Sequence, residues 1–128
     1  MIWPWSRRKP KTLGERGEDA AVRHLKRCGF QILERNIFLG KHEIDIIARE
    51  GDTIAFVEVK TRRTDSFADP EVNVTPEKQR RIRGAAHRYI QAHEDPTCYY
   101  RFDVVSVILP ETGEARVTLH RDAFPDKR

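Results

Sequence analysis

The stretch "EIDIIAREGDTIAFVEVK", residues 43–60, contains two runs that alternate like β-strands around a turn. Glu50, Gly51, Asp52 and Thr53 lie between the runs, and Gly51-Asp52 suits a two-residue hairpin loop. With that loop, Glu50 faces Thr53, Asp45 faces Glu58 and Glu43 faces Lys60. A symmetric four-residue loop leaves this register unchanged, whereas a three-residue loop slips it by one and sends the partners to opposite faces. In the favoured register Ile44, Ile46 and Ala48 share an apolar face with Ala55, Val57 and Val59. The other face carries Glu43, Asp45 and Ile47 against Lys60, Glu58 and Phe56, charged at one end and apolar at the other.

Directly opposed side chains on paired strands have Cβ atoms about 5 Å apart, so two carboxylates there repel each other. Something positive must sit between Asp45 and Glu58. Lys60 can neutralise Glu58 or Glu43 in a purely structural network, or a hard divalent cation can be held by the carboxylates, substrate phosphates and water. Two helix residues add to the pattern. Ala21, Val22 and Leu25 follow Glu18 at helical spacing, which places Glu18 on the face that packs against the sheet. A buried glutamate needs a partner or a cation. Lys78 lies four residues before Ile82 and shares its stripe. Four charges converging from a helix and a hairpin favour the metal site.

The rest of the chain frames this hairpin. "TLGE", 12–15, is a capping box that starts a helix at Thr12 running to about Cys28, with Gly29 just past its end. A strand follows over 30–39, then the two hairpin strands near 43–49 and 53–61. Residues 62–74 are polar and broken by Pro70, hence a loop. Thr75 and Pro76 begin a second helix, with Ile82, Ala85, Ala86, Tyr89 and Ile90 as its apolar stripe. "YYRFDVVSVIL", 99–109, and residues 115–121 complete the order αβββαββ, expected to form a mixed sheet with helices on its faces. One domain over 12–125 fits the 128-residue length, with 1–11 as a flexible arm.

The formal net charge is +4, and it is unevenly spread. Arg7, Arg8, Lys9 and Lys11 make the arm basic, while Lys78, Arg80, Arg81, Arg83 and Arg88 outnumber Glu77 on the second helix. A basic arm and helix beside clustered acids suit a protein that holds a polyanion near a cation. The chain has two cysteines, Cys28 and Cys98, with no ligand spacing, and no disulfide framework, so a reducing compartment is expected. No run is apolar enough to span a membrane, and the Trp3/Trp5 segment lacks the core of a signal peptide. A cytoplasmic protein without a membrane partner is the expectation. His24, His87, His93 and His120 show no ligand spacing.

Asp45 with Glu58-Val59-Lys60 beginning thirteen positions on resembles the PD-(D/E)xK signature of restriction-endonuclease-like nucleases. Together with "GERGEDAA" at 14–21, "VTPEKQRRI" at 74–82 and "RFDVV" at 101–105, it looks like the YraN-like family of small bacterial endonuclease-like proteins, itself similar to archaeal Holliday junction resolvases. The resemblance covers most of residues 12–110. It implies an α/β, restriction-endonuclease-like fold with a central mixed sheet of about five strands. By that resemblance Asp45, Glu58 and the main-chain carbonyl of Val59 hold Mg²⁺ or Mn²⁺. Lys60 acts on the attacking water or the developing charge, and Glu18 completes the catalytic set. Glu43 supports the site from behind. Lys78, with Arg80, Arg81 and Arg83, contacts nucleic acid, expected to be DNA. Resolvase-like folds often act as homodimers, although nothing in the sequence marks an interface. The family reads glycine where this chain has His42, a replacement expected to stand at a bend.

The resulting expectation is a divalent-metal-dependent endonuclease hydrolysing DNA phosphodiester bonds, with branched DNA as the substrate by analogy. The alternative is a nucleic-acid-binding module that keeps the fold without turnover. A third is a protein adaptor using Trp3 and Trp5, separable by salt dependence, since nucleic-acid affinity falls steeply with salt.

Overall fold

A computed structural model describes residues 9–63 and 74–126. The expected arm, apart from residues 9–11, and most of the loop expected at 62–74 lie outside the described residues. The elements are α1 (Leu13–Arg27), β1 (Gln31–Leu39), β2 (His42–Glu50), β3 (Thr53–Arg62), α2 (Pro76–Ala92), β4 (Tyr99–Ile108) and β5 (Arg116–His120). The αβββαββ order and the α/β class are as the sequence predicts, and the architecture is consistent with a restriction-endonuclease-like fold.

Local chemistry sets both helix starts. Thr12 accepts from the Glu15 N–H while the Glu15 carboxylate accepts from the Thr12 N–H, closing the expected box. Thr75 accepts from the Lys78 N–H, and Pro76 follows in the first turn where no N–H is needed. Gly29, at φ 94°, ends α1 in the left-handed region that a side chain resists.

The five strands lie in the order β1-β2-β3-β4-β5. β3 and β4 run parallel, joined across α2, and the other neighbours are antiparallel. Each helix covers one face. α1 buries Ala20, Ala21, Val22 and Leu25 against Ile46, Ala48, Ala55, Val57, Val105 and Val107. α2 buries Ile82, Ala85, Ala86 and Tyr89 against Ile47, Ile54, Phe56, Phe102 and Val104. Phe124 stacks on Phe102 at 5.0 Å and extends this second core.

α1 sits close to β3 because residue 17 is glycine. A Cβ built on Gly17 would overlap Oγ1, Cγ2 and Cβ of Thr61. Gly17→Ala must therefore push the helix away or turn Thr61. We expect a loss of about 2 kcal/mol in urea unfolding, the scale of an overpacked contact. Gly84→Ala, where a Cβ meets open space, should be stabilising by about 1 kcal/mol through helix propensity.

Candidate metal and phosphate site

The hairpin register is as the spacing predicts. Glu50 pairs with Thr53, Ala48 with Ala55 and Ile46 with Val57. The ladder then stops one pair short of Asp45 and Glu58. Beyond that point β2 continues against β1, with Ile44 beside Ile37 and Glu43 beside Phe38. β3 continues against β4 through Glu58–Val104 to Arg62–Ile108. The two strands part into a fork.

Asp45 occupies the fork. Its Oδ2 accepts the Val59 N–H at 2.8 Å. In a continued ladder that N–H would bond to the Ile44 carbonyl, so the carboxylate takes over the role of backbone acceptor. The face assignment of Ile44 is corrected accordingly. Ile44 does not share the α1 core with Ile46 and Ala48; it packs with Ile47, Phe56 and the apolar stripe of α2. Asn36, which the β1–β2 register brings level with Asp45, has φ 51°. That left-handed residue breaks the alternation of β1, so Arg35 reaches α1 while Ile37 packs on the α2 side.

Glu18, Glu43, Asp45 and Val59 line one cleft of about 360 Å³ with Gly14, Glu15 and Thr61. Glu18 lies there because Gly17 lets α1 approach, and it is not left alone. Asn36 Nδ2 donates to its Oε1 at 2.7 Å, and Arg35 Nη2 does so at 3.2 Å. Arg35 also reaches Asp19 at 2.8 Å, and Lys11 bonds Asp19 from the helix start at 2.5 Å. Arg35 and Asn36 escaped sequence reasoning. They lie in an otherwise unremarked strand, and only an asparagine breaking its alternation hinted at them.

Glu58 is buried, and its Oε1 pairs with Lys78 Nζ at 2.8 Å. This contact joins β3 to the first turn of α2. Lys60, two residues on, is half-buried and falls on the same side of β3 as Glu58. The other predicted cations are spread along α2. Arg80 is exposed, and Arg81 pairs with Glu77 at 2.6 Å. Arg83 donates to the Gln79 side chain and to the Pro125 carbonyl, so it fastens the C-terminal segment. Lys78 alone of this group touches the fork acids. His42 starts β2 opposite Leu39 and is not among the positive-φ residues, so the chain takes histidine there without strain.

The electrostatics of the fork are dominated by burial and by acids facing one another. Burial pushes the Asp45 carboxyl up from 3.8 to about 7, and the Glu58 charge adds to it. The Val59 N–H opposes the rise, and Glu18 and Glu43 reinforce it. Lys78 is also raised, but here the rise favours the charged form: the Glu58 carboxylate holds the ammonium protonated above its ordinary range. Among the described residues no three His, Cys, Asp or Glu side chains gather closely enough to enclose a metal ion. Asp45 and Glu58 are the carboxylates that could serve an ion such as Mg²⁺, which keeps several waters and takes one or two carboxylates plus substrate phosphates.

The "RFDVV" block has a different role, at the far end of the sheet. Arg101 clamps the fully buried Asp103 through two bonds of 2.8 and 2.9 Å. Glu50 links Arg101 at 2.8 Å to Arg121 at 2.6 Å, and Asp103 also accepts the Asp122 N–H at 2.9 Å. This network locks the turn end of the β2–β3 hairpin to the end of β5. Asp122 there adopts φ 55°.

Comparison with known proteins gives the family of this chain. The family model described as "Uncharacterised protein family UPF0102" matches residues 17–107. The UPF0102 protein of Caldicellulosiruptor saccharolyticus is 44% identical over 115 residues, which is 89% of this chain and 98% of that protein. The UPF0102 protein of Geotalea daltonii is 46% identical over 114 residues, 89% of this chain and 90% of its own length. That of Geobacter sulfurreducens is 40% identical over 114 residues, with 89% of each chain covered. The matched span runs from the Gly17 approach through the fork to β4, so the chain belongs to the uncharacterised protein family UPF0102, the YraN-like group.

Proposed function

We propose that the fork binds a phosphodiester of nucleic acid, with DNA as the substrate, and hydrolyses it with the help of Mg²⁺ or Mn²⁺. The observation that carries this is Asp45 at the parting of β2 and β3, one oxygen on the Val59 N–H, its charge opposed by Glu58, Glu18 and Glu43. Acids assembled at such a cost to one another suit a cation and a phosphate between them. Asp45, Glu58 and the Val59 carbonyl would hold the cation, which when bound supplies Lewis acidity and a more acidic water. Lys60 would bring fixed positive charge to the phosphoryl oxygens, where negative charge builds in the transition state. Asn36 and Arg35 hold Glu18 at the cleft, where it can orient water. Lys78, half-exposed above Glu58, can turn to a phosphate oxygen, and Arg80 and Arg81 extend positive charge along α2.

One observation favours a second reading, a nucleic-acid-binding module without turnover. The Lys78 ammonium already occupies Glu58, and a protein that never takes up a cation would be neutralised in this way. Labelled single-stranded, duplex, flap and four-way-junction DNA incubated with Mn²⁺ separates the two. Cleavage that Lys60→Ala lowers about a hundredfold, with DNA affinity kept, is the expected result, since that charge is needed mainly in the transition state. Binding with no metal-dependent cleavage of any of these would sink the hydrolytic reading and leave the binding module.

A further inference from the structure

We infer that Phe38 is a stacking platform for an unpaired base of a nucleic acid whose phosphate lies at the Asp45 fork, so the substrate has single-stranded character beside that phosphate. The inference rests on the proposed function and names its substrate class. Phe38 is 66% exposed, and the only other large hydrophobic residue so exposed among the described residues is Tyr99. Tyr99 lies at the opposite end of the sheet, where its N–H bonds the Asp52 carbonyl in the β2–β3 turn. Phe38 lies at the fork end. Its cross-strand partner is Glu43, which lines the cleft with Asp45 and Glu18. Ile37 and Leu39 on either side pack into the α2 core, which turns the Phe38 ring away from that core.

The turn that follows Phe38 carries positive charge. Leu39 pairs with His42 across a two-residue turn, Gly40-Lys41, and Lys41 is exposed at its tip. Gly40 has φ 67°, and the Arg88 guanidinium of α2 lies 3.1 Å from where a Cβ on it would be. An exposed aromatic ring on the strand that leads into a lysine-bearing turn, next to a phosphate site, offers the combination that holds single strands: bases stack and the backbone is neutralised. A protein interface would need more apolar area than one ring. β1 is also poorly suited to pair with another strand along its free edge. Its register shifts between Ile32 and Glu34, and Asn36 breaks its regular conformation.

The test uses the whole chain with Ca²⁺ in place of Mg²⁺ or Mn²⁺, so that the fork acids are neutralised while binding is read apart from cleavage. The probes are fluorescent oligothymidylate, a duplex of equal length, and a single strand carrying 2-aminopurine. Phe38→Ala should weaken single-strand binding roughly tenfold, the worth of one stacked base, and leave duplex binding nearly unchanged. Phe38→Trp should restore it, and the 2-aminopurine quenching seen with the wild type should vanish only in Phe38→Ala. Equal single-strand affinity of the wild type and Phe38→Ala overturns the platform, as does a wild type that binds no single strand. So does a Phe38→Ala protein that sediments as a monomer where the wild type is a dimer, since the ring then belongs to an interface. Cleavage with Mn²⁺ by a wild type whose Phe38→Ala variant binds equally well removes the platform alone. Stacking without cleavage removes hydrolysis alone.

Discussion

Asp45→Asn should melt higher than the wild type in metal-free buffer at pH 8, and should cleave DNA at least a thousandfold more slowly. The stability gain follows from linkage. The Asp45 carboxyl rises from 3.8 in the unfolded chain to about 7 in the fold, so the folded state binds that proton more tightly. The preference favours folding fully below about pH 4 and is lost as pH rises through about 7. Above that pH the fold carries the whole cost of an ionised, poorly neutralised carboxylate. The shift sets an upper bound of roughly 4 kcal/mol, and relaxation with water entering the open fork leaves on the order of 2 kcal/mol. Asparagine removes the charge and keeps an oxygen for the Val59 N–H. The difference in melting temperature between variant and wild type should therefore be small at pH 4.5 and grow towards pH 8. Other acids do not mimic this. Asp95, down to about 2 through its Thr97 bonds, has its pKa moved the opposite way and gives stability that is lost as pH falls. Mn²⁺ should reverse the order, raising the wild type by about 2.7 kcal/mol at a hundredfold excess over Kd and leaving Asp45→Asn unmoved. An Asp45→Asn protein that melts lower at every pH, with a wild type indifferent to millimolar Mn²⁺, would mean that the acid serves the fold.

The same chemical change at Asp103 should have the opposite sign. Asp103→Asn is expected to lose about 3 kcal/mol at pH 7, because it leaves the Arg101 guanidinium half-buried with Glu50 as its remaining acidic partner. It also weakens the acceptor that holds the Asp122 N–H where that residue takes a left-handed conformation. Metal should not alter this loss, and DNA affinity corrected for the folded fraction should be unchanged. Urea unfolding of both asparagine variants, with and without Mn²⁺, reads the contrast in one experiment. A harmless Asp103→Asn would mean that the Arg101 clamp is replaceable by water.

These two aspartates mark the limit of what was legible in the chain. Both are acids in strands among apolar neighbours, and local pattern cannot tell a charge bound to an arginine from one left facing other acids. Arg101 lies two residues from Asp103, but so does Glu43 from Asp45. Their partners come from elements far apart in sequence: Glu50 and Arg121 for the clamp, Glu18 and Glu58 for the fork.

What the sequence by itself determined is local. Thr12 with Glu15 and Thr75 with Pro76 start the helices, Gly29 ends the first, and Gly51-Asp52 sets a register that holds from Glu50 to Ile46. Capping, turns and alternation act over a few residues, so a few residues suffice to read them. The tertiary structure alone decided where that register is abandoned. β2 follows β1 and β3 follows β4, because Ile44 gains the α2 core by turning away from Ile46. The parting frees the Val59 N–H for the Asp45 carboxylate. Competition between two sheet neighbours for the same strands is not encoded in either strand, so the fork appears only when all four are packed together.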